Sequence, residues 1–218
     1  MQPETLTDDV ARATSPRTPQ GTSRDAPAGL LQLPHTPNCL VCGRGNPHGL
    51  KLDLFVDPNS GVVSAEFVTE PHHVGFEGII HGGLLATVLD EAMVWAATWN
   101  IKRFVLCGEL NVRFRQGAIV GQRLRVAAKV DFSRPKLIEP SAKLFDEYHK
   151  LLATAGGKYV PVSPEQHRQF VQGFDDDDER TREAAKALGM IVPSGAELVF
   201  HDPEPEHPEH AEPSPEHS

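Results

Sequence analysis

The sequence has few of the features that mark secreted or membrane proteins. It contains only three cysteines in 218 residues, an odd number that does not suggest a disulfide framework. No apolar run reaches the roughly 18 residues that would suggest a membrane span. The N-terminal stretch lacks the basic and apolar regions of a secretory signal. We therefore expect a cytoplasmic protein without a membrane span.

The net charge of −9 is unevenly distributed along the chain. Residues 201–218 contain six acidic and no basic side chains, whereas residues 38–163 contain 14 basic and 12 acidic ones. An acidic chain repels nucleic-acid phosphates, so we expect no nucleic-acid partner. The mildly basic centre remains compatible with a phosphorylated ligand.

Composition divides the chain into four segments. Residues 1–37 and 199–218 lack hydrophobic periodicity and are rich in proline and polar residues. Such segments bury too little apolar surface to offset the entropy lost on ordering. We predict a disordered N-terminal extension at 1–37 and a disordered, acidic His/Glu/Pro-rich tail at 199–218. Residues 38–163 are predicted to form one domain, and residues 164–198 have the composition of short helices.

The central segment predicts an α+β fold. Alternating hydrophobic and polar residues indicate six strands, namely Leu50–Val56, Val62–Val68, Phe104–Phe114, Gln122–Phe132, Leu137–Asp146 and Leu151–Val160. One helix, at about Gly82–Trp99, is apolar on all sides, as buried helices are. Parallel pairing would need a crossover at every step. We therefore predict an antiparallel sheet of about six strands wrapped around one long buried helix.

Two adjacent carboxylates, Asp90 and Glu91, lie inside this apolar helix. Burying an unpaired carboxylate costs several kcal/mol or raises its pKa. Each one therefore reaches either a structural partner or a functional site. Neighbouring side chains on a helix point about 100° apart, so the two carboxylates cannot face the same way.

The predicted helix start has the character of a binding site for a carbonyl oxygen. His81 precedes Gly82 and Gly83, and the first N–H groups of a helix have no acceptor within the helix. The glycines allow close approach, and the helix dipole adds partial positive charge. The alternative is that these glycines serve only close packing of helix on sheet. Because roughly 10 Å of helix separates Gly83 from Asp90, one carbonyl could contact both groups only if two copies of the chain pack together.

Four segments of the chain resemble the hotdog-fold thioesterases of the PaaI-like family. They are Asn38–Leu50, Pro71–Gly83, Leu89–Met93 and Glu109–Arg115. The most specific mark is His81-Gly82-Gly83 followed by Asp90. The resemblance covers about residues 38–163. It implies a hotdog homodimer, often paired into a dimer of dimers, that hydrolyses acyl-CoA thioesters without a metal or other cofactor.

The resemblance also implies roles for individual residues. Asp90 matches the general base or nucleophile of the family. Gly83, together with Gly82, matches the amide donors to the thioester carbonyl. His81 and His73 match histidines that border the site.

Further residues are expected to contact the substrate. Cys107, Asn111, Arg113 and Arg115 lie on one predicted strand and its end, and Cys107 stands where the family often has a small hydroxyl residue. Glu91 is interpreted as structural. The basic side chains that could bind the CoA phosphates, half or more of which are expected to be ordinary surface charges, are Lys102, Arg103, Arg113, Arg115 and Arg134.

The pair Cys39-x-x-Cys42, with His48 nearby, has a spacing found in zinc sites. A closed zinc site needs four ligands, and no second pair follows at a fitting distance, so we expect none here. A solvated tail is the simpler interpretation of the C-terminal histidines, which are His201, His207, His210 and His217.

Two other functions remain open beside the acyl-CoA thioesterase. A hotdog enoyl-CoA hydratase or dehydratase would need a histidine–acid pair at the reacting carbons. A non-catalytic acyl-CoA-binding hotdog protein is suggested by Cys107 and by the long flanking segments.

Overall fold

The structure is a computed structural model that describes residues 26–174 and 178–190. The tail predicted at 199–218 and most of the predicted N-terminal extension lie outside the described residues. None of the helices in the described ranges is long and apolar enough to cross a membrane.

Seven strands form one antiparallel sheet in the order β1-β2-β3-β7-β8-β9-β6. They are β1 (Leu31–Gln32), β2 (Leu54–Val56), β3 (Val63–Val68), β6 (Val105–Phe114), β7 (Arg123–Arg134), β8 (Leu137–Asp146) and β9 (Leu151–Pro161). A separate two-stranded ribbon contains β4 (Val74–Phe76) and β5 (Ile79–Ile80). The predicted antiparallel sheet with one long helix is confirmed, and its six predicted strands are all present.

The seventh strand, β1, comes from residues that we had placed in the N-terminal extension. Leu31 pairs with Val56 and Gln32 pairs with Phe55, and Leu33 is buried in the core. A strand of two residues is too short to produce a readable alternation of hydrophobic and polar side chains. The sheet therefore continues before residue 38.

The first predicted strand is shorter than expected. Residues 50–53 lie outside β2, because the N–H groups of Leu50 and Leu52 donate to the carbonyls of Leu40 and Val41. These two hydrogen bonds hold the loop around residues 36–43 beside the start of β2.

The long helix α1 (Gly82–Ile101) packs against β3, β6, β7, β8 and β9. Its buried side chains spread over more than one face, as Leu85, Trp95 and Ala97 show. The sheet covers one side of α1, and the 36–43 loop lies against another side. Neither the sheet nor the helix could bury its apolar surface alone.

Two short helices, α2 (Pro164–Val171) and α3 (Arg182–Ala187), lie in the segment that we expected to contain helices. Ser163 and Gln166 form a reciprocal capping box at the start of α2. Within α2, the buried His167 accepts the Phe104 N–H at its Nδ1 atom, at 3.1 Å. This bond ties α2 to the residue just before β6.

Candidate active site

The start of α1 is shaped by His81. Its side chain caps the helix, because Nδ1 accepts the Gly83 N–H at 2.9 Å. The backbone of His81 is packed closely against Gly75, where a Cβ atom would lie only 3.1 Å from the His81 Cα. His81 itself is exposed, so it lies at the surface of the helix start.

The free amide at this helix start belongs to Gly82. Because the Gly83 N–H is taken by His81, it is not available to a substrate in this conformation. In the described part of the chain no acceptor takes the Gly82 N–H. The ring of Phe114 lies over Gly82, 3.4 Å from the position that a Cβ would occupy. Of the two predicted donors, Gly83 and Gly82, only Gly82 therefore has its N–H available in this conformation.

His73 contacts the backbone of His81, the residue that caps α1. It ends a 3₁₀ turn (Pro71–His73), and its Nδ1 accepts the Glu70 N–H at 3.0 Å. Its carbonyl accepts the His81 N–H at 2.9 Å. Burial lowers the pKa of His73, with a smaller contribution from neighbouring His72. The structure therefore shows His73 as a buried partner of His81.

Asp90 is held by a buried tyrosine that we did not predict from the sequence. The Tyr159 O–H donates to Asp90 Oδ1 at 2.6 Å, and Tyr159 is fully buried on β9. Burial, and then the Asp90 carboxylate, raise the pKa of the phenol, so it remains a donor. The sequence did contain a signal for this contact. Tyr159 lies at a core-facing position of a strand, and a buried tyrosine O–H normally needs a hydrogen-bond partner.

Cys107 lies beside this pair. It is opposite Tyr159 in the register of β6 and β9, and its thiol interacts with both Tyr159 and Asp90. Burial raises the pKa of this thiol, which keeps it protonated and a poor nucleophile at neutral pH. The structure thus brings two of the predicted site residues, Asp90 and Cys107, together.

The remaining predicted substrate contacts lie elsewhere. A bulge in β6 after Cys107 reverses the alternation of its side chains. Asn111 and Arg113 consequently face away from α1, on the side where Glu109 accepts from Asn111 and from Lys158, both at 2.8 Å. The next basic residue, Arg115, follows the end of the strand and is exposed.

Two of the other basic residues are stacked on aromatic rings. The Lys102 ammonium lies 3.4 Å from the centre of the Trp99 ring, and the Arg134 guanidinium lies 4.9 Å from that of Phe132. These contacts give both residues a structural role.

Glu91 points away from Asp90, towards the 36–43 loop. Its Oε1 accepts the Trp95 Nε1–H at 3.2 Å, and burial raises the pKa of Glu91 to about 7. The ligand atoms of Glu91, Cys39 and Cys42 all lie within 4.8 Å of one another. A hydrogen bond from the Cys42 thiol lowers the pKa of Cys39 to about 5.

A cavity of about 430 Å³ opens beside these three side chains. Its remaining wall is mostly apolar and includes Trp95, Phe104, Phe170 and Phe174. Asp90 does not line it. This cavity lies on the Glu91 side of the helix.

Comparisons with known proteins agree with this architecture. Residues 77–153 match the family model of the thioesterase superfamily, whereas a comparison with curated proteins found no match. A solved structure described as a thioesterase superfamily protein is 18% identical, with a TM-score of 0.53 over 56% of this chain and 60% of that one.

Two further structures are similar at lower scores. The PaaI protein of E. coli, from the phenylacetic acid degradation operon, is 16% identical, with a TM-score of 0.48 over 52% of this chain and 81% of that one. An acyl-CoA hydrolase of Staphylococcus aureus is 18% identical, with a TM-score of 0.46 over 49% of this chain and 66% of that one. The sheet and the helix form a hotdog fold, and residues 77–153 within it match the thioesterase superfamily model.

Proposed function

We propose that this protein hydrolyses acyl-CoA thioesters in a symmetric dimer. Asp90 of one protomer would lie on one side of the thioester, and the helix start of the other protomer on the opposite side. The observation that carries the proposal is the 2.6 Å bond from buried Tyr159 to Asp90 Oδ1. It fixes the carboxylate. The Cys107 thiol beside Asp90 is only a weak donor, so a water or a substrate can compete for the remaining acceptor sites of the carboxylate.

The reaction follows from these two groups. The thioester carbonyl oxygen accepts the Gly82 N–H, and a water bound to Asp90 attacks the carbonyl carbon. Asp90 takes the proton of that water, the oxyanion is stabilised at the helix start, and the C–S bond breaks. Asp90 then passes this proton to the departing CoA thiolate. Direct attack by Asp90, with water opening the resulting anhydride, is the alternative route.

Cys107 would line the position of the water. A thiol is a weak hydrogen-bond donor, so the water is held there less firmly than by a hydroxyl group. Because the thiol stays protonated, Cys107 does not compete with Asp90 as the nucleophile.

The need for two protomers rests on distance and on an open sheet edge. Gly82 and Asp90 are eight residues apart on α1, or about 12 Å along the helix axis, too far for one carbonyl to reach both. Strand β6 is the long edge of the sheet, and it exposes Leu106, Leu110 and Phe114. An edge of this kind is normally covered. Pairing β6 with its copy would set two α1 helices side by side and antiparallel.

Arg115 is the best candidate for a contact to the CoA phosphates. It directly follows Phe114, whose ring lies over Gly82, so its backbone is one residue away from a side chain that contacts the helix start. Arg115 is exposed, which leaves its guanidinium accessible to a phosphate.

The decisive experiment measures release of free thiol from acyl-CoAs, from acetyl to palmitoyl and aromatic. We expect Asp90→Asn to lower kcat at least about 100-fold, the scale of losing a general base. Asp131→Asn, at an exposed aspartate of β7, is the matched control and should leave kcat unchanged. Unaltered turnover by a folded Asp90→Asn protein would overturn the role of Asp90.

The same assay separates the two alternative functions. Tight acyl-CoA binding by calorimetry, with no thiol released from any substrate, would identify a binding protein. Hydration of an enoyl-CoA without hydrolysis would identify a hydratase. Either outcome contradicts the thioesterase proposal.

A further inference from the structure

We propose that Cys39, Cys42 and Glu91 form a zinc site that fastens the 36–43 loop to helix α1. This proposal is independent of the thioesterase activity, because none of the three side chains belongs to the proposed catalytic group around Asp90.

The loop directs both sulfur atoms towards the helix. Cys39 Sγ accepts the N–H groups of Val41 and Cys42 at 3.3 and 3.5 Å. Gly43 completes the turn, since a Cβ there would lie 2.4 Å from the backbone N and O of Cys39. A Cys-x-x-Cys pair has the spacing of many zinc ligands, and N–H groups aimed at a sulfur stabilise it as a thiolate.

The third ligand comes from a distant part of the sequence. Glu91 lies in the middle of α1, and its carboxylate comes within 4.8 Å of both sulfurs. Zinc–sulfur bonds of about 2.3 Å place two ligands of one ion at most about 4.6 Å apart, so small side-chain rotations suffice. Trp95 Nε1–H holds the carboxylate at 3.2 Å, as outer partners of metal ligands commonly do. His48 is exposed and is not part of this group.

The surroundings favour a cation at this point. Two thiols and a carboxylate line a cavity whose described wall contains no lysine or arginine. Burying such acidic groups without a countercharge is unfavourable. Zinc suits mixed thiolate and carboxylate ligands, and the cavity of about 430 Å³ has room for a water as the fourth ligand. A disulfide between the two cysteines, the competing interpretation, would leave Glu91 without a role.

The test measures metal and its ligands in the full chain, purified under reducing conditions with zinc present. We expect about one zinc per chain more in the wild type than in Cys39→Ser, both retaining the C-terminal histidines. Replacing zinc by cobalt(II) should give a thiolate-to-cobalt charge-transfer band, which histidine ligands in the tail would not produce. Glu91→Gln should weaken zinc binding at least about tenfold.

Cys107→Ser is the matched control, because Cys107 lies on the other side of α1, and it should retain the cobalt band. Equal zinc content in the wild type and Cys39→Ser, or a wild type without the cobalt band, would overturn the proposal. The proposal would also be overturned if mass spectrometry after alkylation found Cys39 and Cys42 joined as a disulfide under the same reducing conditions. The wild-type cobalt spectrum decides the matter even if a variant fails to fold.

Discussion

Asp90 and Glu91 are neighbours in the sequence but belong to two different regions of the molecule. Asp90 faces the sheet, where Tyr159 and Cys107 meet it on strands β9 and β6. Glu91 faces the 36–43 loop, where it meets Cys39 and Cys42 beside an apolar cavity. One region lies next to the open edge of the sheet, whereas the other joins a loop and a short helix to the core.

The different surroundings of Asp90 and Glu91 show how one apolar helix can hold two adjacent acids. Side chains at consecutive helix positions diverge by about 100°, so each carboxylate finds its own partners. A tyrosine O–H and an open edge suit an acid that must exchange protons. Two cysteines beside a mostly apolar cavity suit an acid that holds a metal. The predictions below test whether the Asp90 side is catalytic and the Glu91 side structural.

The largest loss of kcat should come from removing the Gly82 N–H group, which belongs to the proposed catalytic site. Gly82 is the first residue of α1, where proline is well tolerated, and the extended backbone of His81 suits a following proline. We expect Gly82→Pro to lower kcat at least about 100-fold, as the loss of one oxyanion donor does. Gly82→Ala, which keeps the N–H, should lose only a few-fold activity. Equal kcat in the two variants would remove Gly82 from the proposed mechanism.

A mixture of two inactive variants tests whether the site is shared. A dimer of one Asp90→Asn and one Gly82→Pro protomer contains one intact site, and half of randomly formed dimers are of this type. Co-expression should therefore restore about a quarter of the wild-type activity. A mixture that stays inactive although the two variants form mixed dimers would place both groups within one chain.

A smaller effect is expected from the group that positions Asp90. Tyr159→Phe removes the hydrogen bond to Oδ1, and bonds to a charged group contribute about 1.5–3 kcal/mol. We expect kcat to fall roughly tenfold or more with little change in KM, because the substrate still binds. Tyr148→Phe is the matched control, since Tyr148 is 81% exposed. A rise in KM at constant kcat would show that Tyr159 serves binding instead.

The smallest expected effect is on the free energy of unfolding, and it comes from His167, on the Glu91 side of α1. Burial, with Arg103 and Arg168 contributing, lowers the pKa of His167 below 6.5. The unfolded chain therefore takes up the proton more readily, and the stability contributed by neutral His167 is lost as the pH falls below about 6.5. Its protonation also breaks the bond from the Phe104 N–H, worth about 1 kcal/mol.

The measurement is urea unfolding between pH 7 and pH 5. The free energy of unfolding should fall less steeply with pH in His167→Gln than in the wild type, whereas exposed His48→Gln should follow the wild type. The kcat for acyl-CoA hydrolysis of His167→Gln at pH 7 should be unchanged. Parallel pH dependence in all three proteins would contradict a neutral, buried His167.

Much of the fold could be predicted because its signals are local. Six strands were readable from alternation, and α1 from a long run that is apolar on every side. The two-residue strand β1 could not be read, since pairing with β2 alone makes it a strand. The bulge in β6 was equally invisible, and it moved Asn111 and Arg113 to the face away from Asp90.

The candidate site was predictable in part. The pattern His81-Gly82-Gly83 with Asp90 was recognised, and the family match supports the domain in which it lies. Which glycine amide is free depended on the rotamer of His81, and the partner of Asp90 came from residue 159 on another strand. The roles of these residues stay predictions until the variants above are measured.

The order of hydrophobic and polar residues by itself determined the antiparallel sheet, the buried helix and the presence of two acids within that helix, because periodicity is a property of neighbouring positions. Only the tertiary structure decided what each acid meets. Tyr159 reaches Asp90 across 69 positions of chain, and Glu91 meets a loop that precedes it by about fifty residues. Such contacts depend on how strands register and how the helix is rotated against them, and no local pattern encodes that geometry.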